Sequence, residues 1–431
     1  MVERSYYLSK LEEFLDTPLV KVIVGLRRSG KSVLLRQLSG QLVARGVRAS
    51  NILYFNFESL QWSHLDNYQS LYQEVCDRLT GTAGRVYLLF DEIQEVESWE
   101  KAVNSFRVDL DCDIVITGSN QRLFSGELAG LLTGRYVEIP IFPLSFAEHL
   151  EFKAAARSAA ETTAGIDESN SEANGKATDN ANQPERKASR QAFDEYLWLG
   201  SLPGIHELPA NEETIRTYTK DVFNTILLND VIRQNKIRET ELLERIVRFL
   251  LDNLGQIFSA KSIASFLKSQ GRRISVETVY SHIRALEQAY LIHKVRRFDI
   301  IGKRHLETLE KYFVADLGIR HALLGFNANE MPGLLENVVY LELLRRGWSV
   351  SLGKLRNMEV DFIASKRELC RYIQVCYLLA DDAVFRRELE PLKAIPDNHY
   401  RAILSLDEQP EANIEGIHRI NLVDFLLDPT W

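Results

Sequence analysis

Cysteine is rare in this chain. Its four cysteines, Cys76, Cys112, Cys370 and Cys376, show no CxxC spacing, and no histidine stands where it would complete a zinc pattern. Reduced thiols are expected, not a disulfide framework or a metal finger. Long hydrophobic runs are missing too. No stretch reaches the roughly 18 apolar residues that a membrane helix needs, and the opening MVERSYYLSKLEEFL has no apolar core of signal-peptide length. A soluble, cytoplasmic protein without a membrane partner is the expectation. Bulk positive charge is also absent: 52 Lys and Arg face 60 Asp and Glu, a net charge of -8, so the whole molecule is not marked as a nucleic-acid binder. The 431 residues are 45% hydrophobic, enough for more than one core. That length suggests roughly two to four domains.

The first 150 residues alternate short apolar runs with helical patterns, as an α/β domain with a parallel sheet does. Strands are expected at Val20–Val24, Ile52–Phe57, Val86–Phe90, Ile114–Thr117 and Tyr136–Ile141. Residues 151–192 are rich in Ala, Ser, Asn, Glu and Thr and poor in bulky apolar side chains, so a low-complexity mobile insertion is expected there. A solvated helix is the alternative for its first third. A helical lid or linker is expected over 193–235. Three helices follow, Thr240–Leu251, Ala260–Ser269 and Ser275–Ala289, and then the strand-like LIHKVRRFDI. Three helices ending in a β-ribbon outline a winged helix, placed at 236–304. Residues 305–431 return to an α/β pattern, with strands at Val350–Leu352, Val360–Ala364, Tyr372–Cys376 and Tyr400–Leu404.

The strongest chemical signal is Gly25-Leu-Arg-Arg-Ser-Gly-Lys31-Ser32, a G-x-x-x-x-G-K-S run between an apolar strand and a helical pattern. Glycines let the backbone approach and turn, and loop amides and the helix N-terminus then face phosphates. The cradle is expected to run through Gly25, Arg28, Ser29, Gly30, Lys31, Ser32 and Val33, binding ATP. Lys31 is expected to reach the β- and γ-phosphates, and Ser32 to offer its hydroxyl to Mg²⁺. Arg27 and Arg28 are candidate sensors of phosphate or a partner. The run VYLLFDEIQ ends in Asp91 and Glu92 at a strand tip, the end of an open α/β sheet where ligands bind. Asp91 is expected to hold the Mg²⁺ shell, and Glu92 to polarise the attacking water. The extra strand ILYFNFE and the adjacent glutamate favour the ATPase division that carries a catalytic glutamate. Asn120, with Ser119 as alternative, is expected to contact the γ-phosphate or orient water. Arg135 is expected to stabilise transition-state charge, in cis or from a neighbouring subunit.

Taken together, GLRRSGKS, LLFDEIQ, ITGSN, LFSGELAGLLTGRYVEIPIFPLSFAEHL, YLWLGSLPGI, LLENVVYLELLRRG, NMEVDFIA and YIQVCY resemble a prokaryotic AAA-type ATPase family with a C-terminal domain of unknown function. The resemblance covers nearly the whole chain outside the low-complexity segment. It implies an AAA-like core, a winged helix and a C-terminal nuclease-like fold, but no defined substrate.

Residues 232–304 carry 15 Lys and Arg against 7 Asp and Glu, a local charge of +8. Such asymmetry is an electrostatic footprint for nucleic acid. Arg272 and Arg273 precede the expected recognition helix, on which Thr278, Ser281 and Arg284 are candidates for a major groove. Lys294, Arg296 and Arg297 on the wing suit phosphates. The rival expectation is a protein–protein or interdomain module.

The C-terminal segment resembles the PD-(D/E)xK nuclease fold, whose acids collect Mg²⁺ and activate water. The resemblance makes Glu336 the helical acid and Asp361 the first strand acid, with Glu359 as a possible replacement ligand. Gln374-Val375-Cys376 stands where Glu-x-Lys is expected, so one carboxylate and the lysine are absent. An inactive, binding-type domain is therefore expected. The leading functional expectation is an ATP-driven switch acting on an unknown protein client. The alternatives are an ATP-regulated DNA-binding protein and an active metal-dependent nuclease of a defence or mobile-element system. Oligomeric state stays open.

Overall fold

Five runs rich in β-branched and aromatic residues form one parallel sheet: β1 (Val20–Gly25), β2 (Ile52–Asn56), β3 (Val86–Asp91), β4 (Cys112–Gly118) and β5 (Tyr136–Ile141). The computed structural model describes residues 2–121, 132, 134–164, 182–379, 382–408 and 412–431. The strand order is β2-β3-β4-β1-β5. All four pairings are parallel. β1 and β3 are buried throughout, as strands covered on both faces must be. Helices α1 (Ser5–Glu12), α2 (Lys31–Ala44), α3 (Tyr68–Leu79) and α4 (Trp99–Asp109) connect and cover them. On α2 the buried residues Leu34, Leu35, Leu38 and Leu42 recur at helical spacing, and they pack with Ile23, Leu89 and Val115 of the sheet and Tyr7, Leu8 and Leu11 of α1. One buried charge interrupts the core. Lys21 in β1 pairs with Asp113 in β4, with neither side chain exposed. Two further donors and acceptors complete the pair: the Leu19 carbonyl accepts from Lys21 Nζ at 2.9 Å, and the Asp16 amide donates to Asp113 at 2.6 Å.

The chain divides into two compact units, Met1–Pro143 with Gln288–Tyr290, and Leu144–Glu287 with Leu291–Trp431. In the second unit the helices are α5 (Phe146–Ala164), α6 (Asn182–Leu199), α7 (Glu212–Thr225), α8 (Thr240–Asp252), α9 (Ala260–Ser269), α10 (Val276–Gln288), α11 (Leu317–Leu324), α12 (Met331–Arg345), α13 (Asp382–Lys393) and α14 (Leu422–Leu427). Its strands are β6 (Ile292–Val295), β7 (Arg297–Asp299), β8 (Arg304–His305), β9 (Lys311–Val314), β10 (Ser349–Leu355), β11 (Met358–Lys366), β12 (Leu369–Val375), β13 (Tyr400–Ser405), β14 (Ala412–Ile414) and β15 (Ile417–Asn421). Eight of them form a mixed sheet in the order β14-β15-β13-β12-β11-β10-β7-β8, and β6 and β9 form a separate antiparallel ribbon. Phe258, between α8 and α9, bridges to Glu310 at the edge of that ribbon.

Three boundaries differ from the sequence reading. The mobile insertion expected over 151–192 is helical at both ends, in α5 through Ala164 and in α6 from Asn182. Its central part, 165–181, lies outside the described residues. A composition without bulky apolar groups rules out a buried strand, but a helix satisfies its own backbone, and Ala, Glu, Lys and Arg favour it. By compactness the first unit ends near Pro143, before α5, a little short of the expected 150. No break falls after 304 either. LIHKVRRFDI splits at Arg296, whose carbonyl accepts the Leu352 amide at 3.0 Å; β6 pairs with β9 while β7 joins β10. The expected wing is thus built into the C-terminal sheet.

The second unit also packs two histidines together, His149 buried and His206 partly buried. His149 of α5 and His206 have ring centroids 4.7 Å apart. Neither ring nitrogen of His149 has a hydrogen-bond partner, nor does Nε2 of His206. Burial, reinforced by His206 and Lys153, pushes the His149 imidazole down to about 3. Burial and Lys153 push His206 down to about 4. Both rings are therefore neutral in the fold, while the unfolded chain takes up protons below about pH 6.5. The sign follows: stability is full above that pH and is lost as pH falls toward the folded values. At pH 5 each ring weakens the fold by on the order of 2 kcal/mol relative to pH 7. His149→Leu is expected to flatten the decline of the urea midpoint between pH 7 and pH 5; an unchanged slope would show that His149 is not the titrating group.

Candidate nucleotide site

β1 ends at Gly25, and only glycine fits there. A Cβ at that position would lie 2.1 Å from the Ile141 carbonyl oxygen of β5. The loop then turns through Arg28 at φ 67° and Gly30 at φ 99°, both left-handed, and α2 starts at Lys31. The Ser29 amide closes the turn on the Leu26 carbonyl at 3.1 Å. Residues 25–32 are thus a compact loop at a helix N-terminus, where free amides and the helix dipole favour an anion. Val33 continues the first turn. Lys31 is buried, and its Nζ donates to the Gly25 and Leu26 carbonyls, each at 3.1 Å. Arg28 is exposed, and Arg27 pairs with Glu58 at 2.9 Å.

Asp91, at the tip of β3, is fully buried and collects three hydroxyls. Ser32 Oγ donates to one carboxylate oxygen at 3.1 Å and Thr117 Oγ1 to the same oxygen at 2.7 Å. The Tyr54 phenol donates to the other oxygen at 2.9 Å. Burial pushes the Asp91 carboxyl up, and the Thr117, Ser32 and Tyr54 hydroxyls pull it back only in part. Burial and the Asp91 charge raise the Tyr54 phenol, so it stays a donor. Glu92 follows in a left-handed conformation, φ 54°, and its amide donates to Thr117 Oγ1 at 2.8 Å. The turn brings the Glu92 carboxylate to 3.7 Å from Lys31 Nζ. Burial raises the Glu92 carboxyl, but Lys31, the Gln94 amide and Arg27 outweigh it and hold it below the ordinary range. Ser119 and Asn120 are buried at the tip of β4, between β3 and β1 in the sheet, and the Ser119 side chain bonds Glu92. A serine hydroxyl beside a carboxylate is a hard-oxygen donor set, and it suits Mg²⁺.

Arg135 is a correction. Val20 pairs with Tyr136 and Gly25 with Ile141 in parallel register, and the Val20 amide donates to the Arg135 carbonyl at 2.9 Å. Arg135 therefore lies where the strands begin, about 16 Å along the sheet from the phosphate loop at 3.3 Å per residue. Its exposed guanidinium reaches Asn104 Oδ1 at 3.4 Å. A role in its own chain's site is excluded. A residue just before a strand of a parallel sheet lies at the end away from the strand tips that carry the phosphate loop.

Four side chains escaped the sequence reading. Thr117 and Tyr54 hold Asp91, Gln94 holds Glu92, and Arg4 locks the loop, its guanidinium donating to the Ser29 carbonyl at 2.8 Å and the Phe142 carbonyl at 3.0 Å. A polar residue near the tip of an apolar strand was a usable signal for Thr117 and Tyr54. Nothing local marks Arg4.

The basic segment is only partly free. On α10 and just before it, Arg273, Thr278, Ser281 and Arg284 are exposed. Arg272 pairs with Glu241 at 2.7 Å. On the expected wing, Arg296 is exposed, but Lys294 lies 3.6 Å from Glu287 and Arg297 donates to the Thr308 carbonyl at 3.2 Å. Lys294, on β6, is thus taken up by Glu287, and Arg297, on β7, belongs to the large sheet.

The nuclease-like residues come together except for Glu359, which is exposed on β11. Glu336 of α12 and Asp361 of β11 converge on Lys311 of β9, at 2.8 and 3.6 Å. Gln374 accepts the Asp361 amide at 3.2 Å and donates to Glu388 at 3.0 Å. Lys311 was missed, since it precedes both acids and lies in β9, a segment for which no strand was expected.

An AAA domain family matches residues 17–150, and a domain of unknown function (DUF8612) matches residues 190–330. A protein of Haemophilus influenzae, described as uncharacterized, is 38% identical over 427 residues, covering 99% of either chain. The uncharacterized protein MJ1544 of Methanocaldococcus jannaschii is 30% identical over 386 residues, covering 88% of this chain and 79% of that one. Among solved structures, the Aeropyrum pernix ORC1 protein in complex with DNA aligns at 16% identity and a TM-score of 0.30, over 75% of this chain and 92% of that one. AMPPCP-bound DnaA from Aquifex aeolicus aligns at 17% identity and a TM-score of 0.26, over 67% and 89%.

Thr117 offers a test that leaves the phosphate loop, Asp91 and Glu92 unchanged. Thr117→Val keeps the shape but strips Asp91 of one donor and leaves the Glu92 amide without its acceptor. A loss of about 1–3 kcal/mol in unfolding free energy is expected. Affinity for a fluorescent ATP analogue should fall with Mg²⁺ present and hold in its absence; equal affinities in both conditions would sever Thr117 from the metal side of the site.

Proposed function

We propose that this chain, which belongs to one family with the Haemophilus influenzae protein and carries an AAA domain over residues 17–150, is an ATP-binding, Mg²⁺-dependent ATPase working as a nucleotide-driven switch. The convergence of Lys31, Ser32, Asp91 and Glu92 carries this reading. Ser32 bonds Asp91 at 3.1 Å, and Glu92 lies 3.7 Å from Lys31. In it the loop amides from Gly25 to Val33 hold the phosphates and Lys31 neutralises the terminal one. Ser32 and Asp91 would hold Mg²⁺, which supplies charge neutralisation and orientation. Glu92, kept ionised beside Lys31, accepts the proton of the attacking water. Asn120, or its neighbour Ser119, orients that water. The second unit is what the nucleotide cycle acts on. Lys31→Ala is expected to abolish ATP binding in a direct titration. Glu92→Gln should keep binding while ATP turnover drops by roughly 10²–10⁴-fold, the range for loss of a general base. Full turnover in Glu92→Gln would remove Glu92 from the mechanism.

A second reading adds DNA as a partner of the region around α8–α10. The local +8 charge, together with exposed Arg273 and Arg284 on one helix and its approach, favours it. We read α8, α9, α10 and the β6–β9 ribbon as a winged helix that uses its helix more than its wing. Duplex DNA is expected to bind more weakly as salt rises. If Arg284 meets a phosphate, Arg284→Ala lowers the slope of log affinity against log salt by about one. Binding absent at low salt would leave the protein-interaction module in its place.

A further inference from the structure

Two buried acids that meet across three elements need a cation, and the fold supplies one of its own. Lys311 opens β9, and its Nζ lies 2.8 Å from Glu336 Oε2 and 3.6 Å from Asp361 Oδ1. All three side chains are nearly buried, at 7%, 10% and 12% exposure. The position is fixed from several sides. The Asn337 side chain, next to Glu336, accepts the Val314 amide at 2.8 Å and donates to the Val314 carbonyl at 2.9 Å, which clamps α12 to β9. The start of α12 is pressed against the end of α8, where a Cβ on Gly333 would lie 2.6 Å from the Leu254 carbonyl oxygen. The second oxygen of Asp361 accepts the Val375 amide at 2.9 Å.

Mg²⁺ or Mn²⁺ does not fit among these groups. Such an ion takes about six oxygen ligands in close octahedral array. Here Asp361 and Glu336 turn to the ammonium. Gln374 spends its acceptor on the Asp361 amide and its donor on Glu388, at 3.2 and 3.0 Å. Among the described residues no group of three or more His, Cys, Asp or Glu side chains is arranged to hold a metal. A second cation beside Lys311 would meet a like charge at close range in a medium of low dielectric. Burial works against the ammonium, yet the Glu336 and Asp361 carboxylates more than offset it and raise the Lys311 pKa; burial pushes both carboxyls up, and Lys311 pulls them back only in part. The neutral amide at Gln374 limits the excess of acid, since a carboxylate there would be a third beside the two that already share one lysine.

We propose that Lys311 is a built-in cation: between Glu336 and Asp361 its ammonium takes the place of a divalent metal and ties the β6–β9 ribbon to α12 and the large sheet without one. The domain is then a metal-independent scaffold for the three-helix segment, and phosphodiester cleavage through a metal at these acids is not its chemistry.

The full chain, stripped with EDTA and free of nucleotide, is titrated with Mn²⁺ while free Mn²⁺ is read by electron paramagnetic resonance. Wild type and Asp361→Asn are expected to bind Mn²⁺ alike, any shared binding belonging elsewhere. Lys311→Ala should gain one Mn²⁺ site, tighter than any in wild type by at least roughly tenfold, the scale on which neighbouring groups tune metal affinity. Lys311→Ala/Asp361→Asn should lose it again. A Mn²⁺ bound by wild type and released by Asp361→Asn overturns the proposal. So does a folded Lys311→Ala protein that gains no site. Should Lys311→Ala fail to fold, the comparison of wild type with Asp361→Asn decides alone.

Discussion

Asp91 is the point on which the first unit turns. It stands at the end of β3 and is bound by hydroxyls from three other elements: Ser32 of α2, Tyr54 of β2 and Thr117 of β4. Neutral donors satisfy its oxygens without cancelling its charge. A buried carboxylate treated this way keeps an unmet demand for a cation, and its upward shift on burial expresses that demand. The same ring registers the first turn of α2 against three strand tips. The shape of the phosphate loop and the location of negative charge are thus set by one group.

Glu92 depends on that arrangement. Thr117 accepts the Glu92 amide while donating to Asp91, so one hydroxyl fixes both acids. The left-handed turn at Glu92 reverses the direction expected of alternation along a strand, and consecutive acids end with different partners. Asp91 faces hydroxyls, whereas Glu92 faces Lys31. Two adjacent carboxyls are pushed in opposite directions, Asp91 up and Glu92 down. Such a split suits one acid to metal binding and the other to proton acceptance. Behind them, Arg4 and the close contact of Gly25 with Ile141 brace the loop against the β5 side.

Much of this could be read from the chain because it rests on local patterns. The strands of the first sheet are continuous apolar runs, and the phosphate loop is a short spaced motif between strand and helix. α8, α9 and α10 follow from apolar spacing. What stayed hidden involves pairing between distant segments. Arg135 is the exception: it directly precedes β5, so the direction of a parallel strand already put it at the end away from the phosphate loop. Sheet membership decides that Arg297 belongs to β7 beside β10, although its own sequence continues a ribbon. Low apolar content in 151–192 signals the absence of a core face, which a helix can tolerate. Lys311 and Asp361 are separated by α11, α12 and β10, so their meeting is tertiary.

The two units answer one electrostatic problem in opposite ways. Each gathers buried carboxylates, and in low dielectric such groups need a counter-charge. In the first unit the lysine pairs with Glu92, and Asp91 is left among hydroxyls. In the second unit Lys311 reaches across to both acids, and a glutamine stands where the resemblance implies a third. A lysine cannot leave its chain, so the second arrangement is permanent, whereas a dissolved metal can arrive and depart with a ligand. An exchangeable cation suits a cycle, and a covalently tethered one suits a support. On the proposed reading, then, chemistry belongs to the unit whose acid lacks an internal partner, and the unit that carries its own cation receives the result of that chemistry.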